Sequence, residues 1–162
     1  MITLLPVEAS HRETIAGWLR SDRVSTWWGE PAGRLEQLDE TSPDNHALIA
    51  RDGKAIGYVR WEIVDPEALA SVGLDVIPPR SIDIDIFIGV TDEAGRGAGP
   101  AALELLFDRL SETTDAPLAG LCTSVKNLRA HSAFRKAGCE HLTDFDAPVF
   151  GPCHVFVRHL RK

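Results

Sequence analysis

The sequence predicts an α/β (α+β) chain in which a β-sheet is flanked by helices, and three features carry that prediction. A strand pattern followed by a helix pattern opens the chain. Two strand-like runs, His46 to Arg51 and Ala55 to Val64, meet at Asp52-Gly53 as a hairpin. Two later strands are each followed by an amphipathic helical repeat. With 162 residues the chain has the length of one domain, since domains run to roughly 100–150 residues; a single domain over residues 1–162 is expected.

In order, Ile2 to Val7 reads as the first strand. From Ser10, the expected cap, Ile15, Trp18 and Leu19 repeat at helical spacing. Val24 to Pro31, with Trp27, Trp28 and Gly29, reads as irregular and functional; a short helical pattern with Leu35 and Leu38 then ends at Ser42-Pro43-Asp44-Asn45. After the hairpin, Asp65 to Arg80 holds Pro66, Pro78 and Pro79 without a clean period and is expected to be a long loop. Ser81 to Val90 alternates Ile82, Ile84, Ile86 and Ile88 against Asp83, Asp85, Phe87 and Gly89, which makes it the clearest strand. A glycine-rich turn leads to a helix carrying Leu103, Leu106, Phe107 and Leu110 on one face. Leu118 to Val125 reads as strand, and Asn127 to Ala137 as helix with Gly138 as its stop. Cys139 to Phe145 and Cys153 to His159 form a closing hairpin.

Hydrophobic residues make up 44% and charged residues 25%, near globular averages, which excludes disordered, collagen-like and coiled-coil classes. Seventeen Lys and Arg against 24 Asp and Glu leave a net charge of −7, unsuited to nucleic acid or an anionic membrane and suited to a cationic small molecule. No apolar run approaches the roughly 20 residues of a membrane span, and Cys122, Cys139 and Cys153 form no disulfide framework. A cytoplasmic protein is expected, with Cys122 and Cys139 as small buried apolar residues. Cys139/His141 and Cys153/His154 lack the paired spacing of a zinc site, so no metal is expected. His131 is read as structural or surface, on a different side of its helix from Phe134.

The most informative segment is the strand to Val90, the turn Thr91 to Pro100 with Gly95, Gly97 and Gly99, and the helix after it. Glycines let backbone N–H groups at a helix N-terminus meet an anion unobstructed. The P-loop pattern fails because no Lys-Ser or Lys-Thr follows Gly99, and the dinucleotide pattern fails at Pro100. Ala94-Gly95-Arg96-Gly97-Ala98-Gly99 resembles the pyrophosphate loop of the GNAT acetyltransferase superfamily, and Asn127-Leu128-Arg129-Ala130 through Phe134 to Gly138 resembles its second block. Trp18-Leu19, Val24-x-x-Trp27-Trp28-Gly29, Ile56-Gly57-Tyr58, Ile84-Asp85, Lys136-Ala137-Gly138 and Gly151-Pro152 are similar to landmarks of the aminoglycoside 6'-N-acetyltransferases and, next to them, their siderophore-acylating relatives.

The resemblance spans nearly the whole chain. It implies a central mixed, mostly antiparallel sheet with a V-shaped splay between its fourth and fifth strands, and acetyl-CoA as co-substrate. It places Phe87, Ile88, Gly89, Val90, Gly95, Arg96, Gly97, Ala98, Gly99, Pro100, Asn127, Ala130 and Phe134 at the cofactor. Asp85 takes the role of general base, and main-chain amides near Ile88 to Val90 meet the oxyanion. At the acceptor, Trp27 and Trp28 read equally as core or as flat faces for sugar rings; Asp83 is a second candidate beside Asp85, and, from charge and loop position, Glu30, Glu62, Asp65, Asp75 and Asp146 are expected to form an acidic rim that draws a polycationic amine. Phe134 stands where many relatives carry a tyrosine, and Ala94 where they carry Gln or Arg. The implied activity is direct acetyl transfer to an amino group of an aminoglycoside, the 6' amine, by a monomer or homodimer. A siderophore hydroxylamine, a polyamine or a protein N-terminus is the alternative acceptor, and a non-catalytic acyl-CoA-binding module the alternative class.

Overall fold

The computed structural model describes residues 1–161. Seven strands, β1 (Ile2–Leu5), β2 (His46–Arg51), β3 (Lys54–Ile63), β4 (Ile82–Ile88), β5 (Leu118–Ser124), β6 (Glu140–Ala147) and β7 (Gly151–His159), form one sheet in the order β1-β2-β3-β4-β5-β7-β6. The β1–β2, β2–β3, β5–β7 and β6–β7 pairs are antiparallel. β4 and β5 are parallel, in a short ladder of Ile82 opposite Ala119 and Asp83 opposite Gly120. The helices are α1 (Arg12–Arg20), α2 (Asp22–Trp28), α3 (Pro31–Glu40), α4 (Pro66–Ser71), α5 (Ala98–Thr113) and α6 (Leu128–Lys136). None of the described helices is long and apolar enough to cross a membrane.

Three local expectations give way. Ser10 does not cap α1: a 3-10 turn, Ala9–His11, precedes it and His11 is the cap residue. The segment read as irregular is helical up to Trp28, and Gly29 at φ +90° breaks it there. Pro31, with φ already set for the first helical turn, then starts α3. The expected long loop contains α4, because Asp65 accepts a hydrogen bond from the Glu67 N–H and Pro66 takes the first helical position.

The chain divides into two compact units, Met1–Arg60 with Ile86–Ala102, and Trp61–Asp85 with the chain from Leu103 onward. In the first, Ile15, Leu19, Val24, Leu38, Leu48, Tyr58 and Phe87 form the core. Phe87 is bracketed edge-on by the Trp28 ring at 4.9 Å and the Trp18 ring at 6.1 Å. In the second, Leu74, Ile77, Leu118, Val155 and Val157 cluster, with Leu142 and Phe145 packed against them. There the Leu103, Leu106, Phe107 and Leu110 stripe of α5 is fully buried, as its spacing predicts. Cys139 is buried as expected, but Cys122 is exposed, where the buried run Leu118 to Leu121 of β5 ends.

Candidate functional site

In the first unit, the end of β4 is remodelled by a bulge. The Gly89 and Val90 N–H groups both donate to the Ile56 carbonyl, at 2.8 and 3.2 Å. Two successive donors on one acceptor interrupt the ladder and turn the chain out of the sheet. Arg23, on α2, donates Nη2 to the Ile88 carbonyl at 2.5 Å. Gly89 was expected to admit a ligand; instead a Cβ there would lie 2.2 Å from the Trp18 indole, so the ring occupies that space.

Beyond the bulge a 3-10 turn, Thr91–Glu93, leads through Ala94-Gly95-Arg96-Gly97 into α5. Gly95 and Gly97 stand at φ +76° and +80°, and a Cβ built on either meets nothing within 4 Å. The two left-handed glycines flank Arg96 after an extended Ala94, and the N-terminus of the long helix that follows adds orphan N–H groups and a positive dipole end. Donors, positive potential and open space together fit a diphosphate.

What holds this turn is a group that sequence reasoning missed. Glu93 is 7% exposed, and both its carboxylate oxygens accept from Arg51 Nε on β2, at 2.8 and 2.9 Å. Arg96 Nη1 donates to Glu93 Oε1 at 3.0 Å, and Arg51 Nη2 reaches the Arg96 carbonyl at 3.3 Å. The buried carboxylate thus fastens the turn to the sheet through two guanidiniums. Nothing in the sequence distinguishes Glu93 from its neighbour Asp92.

The two tryptophans part company. Trp28 packs against Phe87 and Tyr58, with the Arg34 guanidinium 5.1 Å over its ring, whereas Trp27 is 37% exposed. Near them His46 is buried with Nδ1 2.9 Å from the Tyr58 hydroxyl. Burial, and then the charge of Arg60, push its pKa below the ordinary histidine value.

In the second unit, Asp83 and Asp85 are half-buried while Ile82 and Ile84 are buried, as the alternation predicts; beyond them the prediction fails, since Phe87 is the buried residue and Ile86 and Ile88 are half-buried. Asn127 and Ala130 are joined as a helix cap: Asn127 Oδ1 accepts from the Ala130 N–H at 3.3 Å, and Asn127 Nδ2 donates to Thr123 Oγ1 at 3.1 Å. Phe134 is 6% exposed, with its ring 5.6 Å from that of Phe156. His131 also lies against Phe156, its ring stacked at 5.3 Å. The two residues therefore share the buried side of α6, contrary to the expectation that they face apart. Glu62 and Asp146 are exposed, Asp146 opposite Pro152 on the β6–β7 hairpin. Burial raises the Cys139 thiol pKa to about 11 and raises that of Cys153, so neither is a ready thiolate.

The sheet order, with a glycine turn at a helix N-terminus beyond a bulged fourth strand, is a mixed α/β arrangement that has counterparts among known proteins. The family profile described as "Acetyltransferase (GNAT) domain" matches residues 8–147, and the chain belongs to that family, whose co-substrate is acetyl-CoA. Among curated proteins no sequence matches this chain. Among solved structures the chain is similar to the aminoglycoside acetyltransferase AAC(6')-Ib in complex with coenzyme A, with 22% identity and a TM-score of 0.80 over 98% of this chain and 95% of that one. It is similar to an aminoglycoside N(6')-acetyltransferase from Legionella pneumophila, with 18% identity and a TM-score of 0.75 over 98% and 92%. It is also similar to RimL, a ribosomal L7/L12 alpha-N-protein acetyltransferase, in complex with coenzyme A, with 11% identity and a TM-score of 0.74 over 98% and 93%.

Proposed function

We propose that this acetyltransferase works as one domain that transfers the acetyl group of acetyl-CoA directly to an amino group of an aminoglycoside, the 6' amine. The observation that carries the donor half is the open Gly95–Gly97 turn at the head of α5. The acceptor half is supported by the likeness to the aminoglycoside acetyltransferases over 98% of the chain and by the net charge of −7, which draws a polycationic amine.

Acetyl-CoA when bound supplies the activated acetyl group. The chain's own residues do the rest. Backbone N–H groups of Gly95, Gly97, Ala98 and Gly99 hold the diphosphate, that of Arg96 donating instead to the Glu93 carbonyl, with Pro100 starting the next turn without a competing N–H. Asp85 takes a proton from the acceptor ammonium, directly or through one water, and the neutral amine so freed attacks the thioester carbonyl. Of the three amides assigned to the oxyanion, those of Gly89 and Val90 are committed to the Ile56 carbonyl, so that role rests on Ile88. Phe134 carries no proton to give, and water protonates the departing thiolate; a thiol with an ordinary pKa of about 8.5 leaves without strong acid assistance. Trp27 offers an exposed ring face to the sugar, while Glu62, Asp83 and Asp146 supply negative charge for acceptor amines.

Release of free thiol from acetyl-CoA on adding kanamycin or tobramycin tests the proposal. Rapid release supports it. Release only with a hydroxylamine, a polyamine or a peptide N-terminus replaces the acceptor, and tight coenzyme A binding without release for any amine overturns the catalytic reading.

A further inference from the structure

On the outer β6–β7 hairpin, three side chains converge that play no part in the transfer chemistry. His141 Nε2 lies 2.7 Å from Asp144 Oδ1, and His154 Nδ1 lies 2.5 Å from the same oxygen. The two imidazole nitrogens and the carboxylate oxygen all fall within 4.8 Å of one another. The geometry points to a divalent transition-metal site formed by His141, Asp144 and His154, and this inference rests on no part of the acetyl-transfer reading.

The convergence is built by the backbone. In a regular strand, side chains three positions apart point to opposite faces, so His141 and Asp144 should diverge. The β6–β7 register shifts between His141, opposite Phe156, and Thr143, opposite Val155. Leu142 is therefore the extra residue of a bulge, and the phase of β6 is reversed across it. Asp144 pairs directly with His154, and His141 with Phe156, two residues further along the same face. All three donors come to one face, while Leu142 and Phe145 pack into the core with Val155 and Val157. The spacing His-x-x-Asp on a strand hides this in the sequence, which is why pairing cysteines with histidines there revealed nothing.

Donor chemistry and support agree with a metal. Two neutral imidazoles and one carboxylate suit Zn2+, Co2+, Ni2+ or Cu2+ better than the oxygen-seeking Mg2+ or Ca2+. Donors around a tetrahedral ion, with bonds near 2.1 Å, stand about 3.4 Å apart. Asp144 is 59% exposed and His141 42% exposed, so both have room to open by that amount, and water completes the coordination. The His154 ring is steadied from behind by His131, at 5.1 Å between centroids; His131 is itself fixed by its Nε2, 3.0 Å from the Ser124 carbonyl oxygen. The contact with this buried, hydrogen-bonded neighbour limits rotation of the His154 ring.

The test uses the full chain, purified free of metal and fully reduced, titrated with Zn2+ by calorimetry and with Co2+ by visible absorption. One ion per chain is expected, with ligand-field bands of a low-coordinate Co2+ site and a rise in the thermal midpoint with Zn2+ concentration. Asp144→Asn and the double variant His141→Ala with His154→Ala, each checked for an unchanged circular dichroism spectrum, should weaken binding at least tenfold and abolish the Zn2+-dependent rise. No saturable binding by the wild-type chain would overturn the proposal. So would binding that the double variant leaves unchanged, which would place the ion on other histidines or on the exposed Cys122.

Discussion

In the proposed reaction, Asp85 and Gly97 carry the two halves of the chemistry, and each is expected to fail in its own way when changed. Asp85→Asn keeps the shape of β4 but removes the proton acceptor, so turnover should fall by about 10²–10⁴-fold while coenzyme A affinity holds. Steady-state rates beside calorimetry check this, and unchanged turnover at neutral pH takes Asp85 out of the mechanism. Gly97 stands at φ +80°, so Gly97→Val both strains the turn and fills the space above it. Coenzyme A affinity should drop about tenfold or more, and an unaltered dissociation constant would mean that the turn does not touch the ligand. His46 ties pH to stability rather than to catalysis. Its folded pKa lies below the unfolded value of 6.5, so below about pH 6.5 the unfolded chain takes up a proton that the folded one resists, and stability falls as the pH drops. Urea midpoints at pH 7.5 and 5.5 should show a smaller decline for His46→Gln than for wild type; equal declines would place the pH sensitivity elsewhere.

At the scale of elements, the glycine turn is only as ordered as the clamp beneath it. Glu93→Gln leaves Arg51 and Arg96 without their shared carboxylate, so it should cost about 1–3 kcal/mol of stability and also weaken coenzyme A binding. Chemical denaturation and calorimetry on one sample check both effects, and a stable variant with intact affinity would show that the turn holds itself. The elements themselves were largely legible. Alternating isoleucines marked β4, although burial follows them only at Ile82 and Ile84; Asp52-Gly53 marked the β2–β3 turn by its backbone demand, and the leucine stripe marked α5 because it is the direct imprint of burial on one face. α2 and α4 were not legible, since seven and six residues are too few for a period to emerge and a cap decides them. In the candidate site, the turn was legible where backbone conformation demands glycine, at Gly95 and Gly97. It was illegible where long-range pairing acts: nothing local ties Glu93 to Arg51, 42 residues away, Arg23 to Ile88, or Trp18 to the space above Gly89. The bulge that gathers His141, Asp144 and His154 escaped for the same reason.

At the scale of the whole molecule, the excess of acidic residues gives the chain a field that favours cationic acceptors. Such attraction is screened once the Debye length falls from about 10 Å at 0.1 M salt to about 3 Å at 1 M. The KM for an aminoglycoside should therefore rise several-fold over that range, while kcat changes little. The central claim is that the main chain from Gly95 to Gly99, at the head of a helix, grips the diphosphate of the acetyl donor. A crystal structure of the chain with coenzyme A tests it most directly: the account predicts phosphate oxygens about 2.7–3.2 Å from the backbone nitrogens of that turn. Coenzyme A bound elsewhere, or the turn closed over its own side chains with no nucleotide beside it, would contradict it.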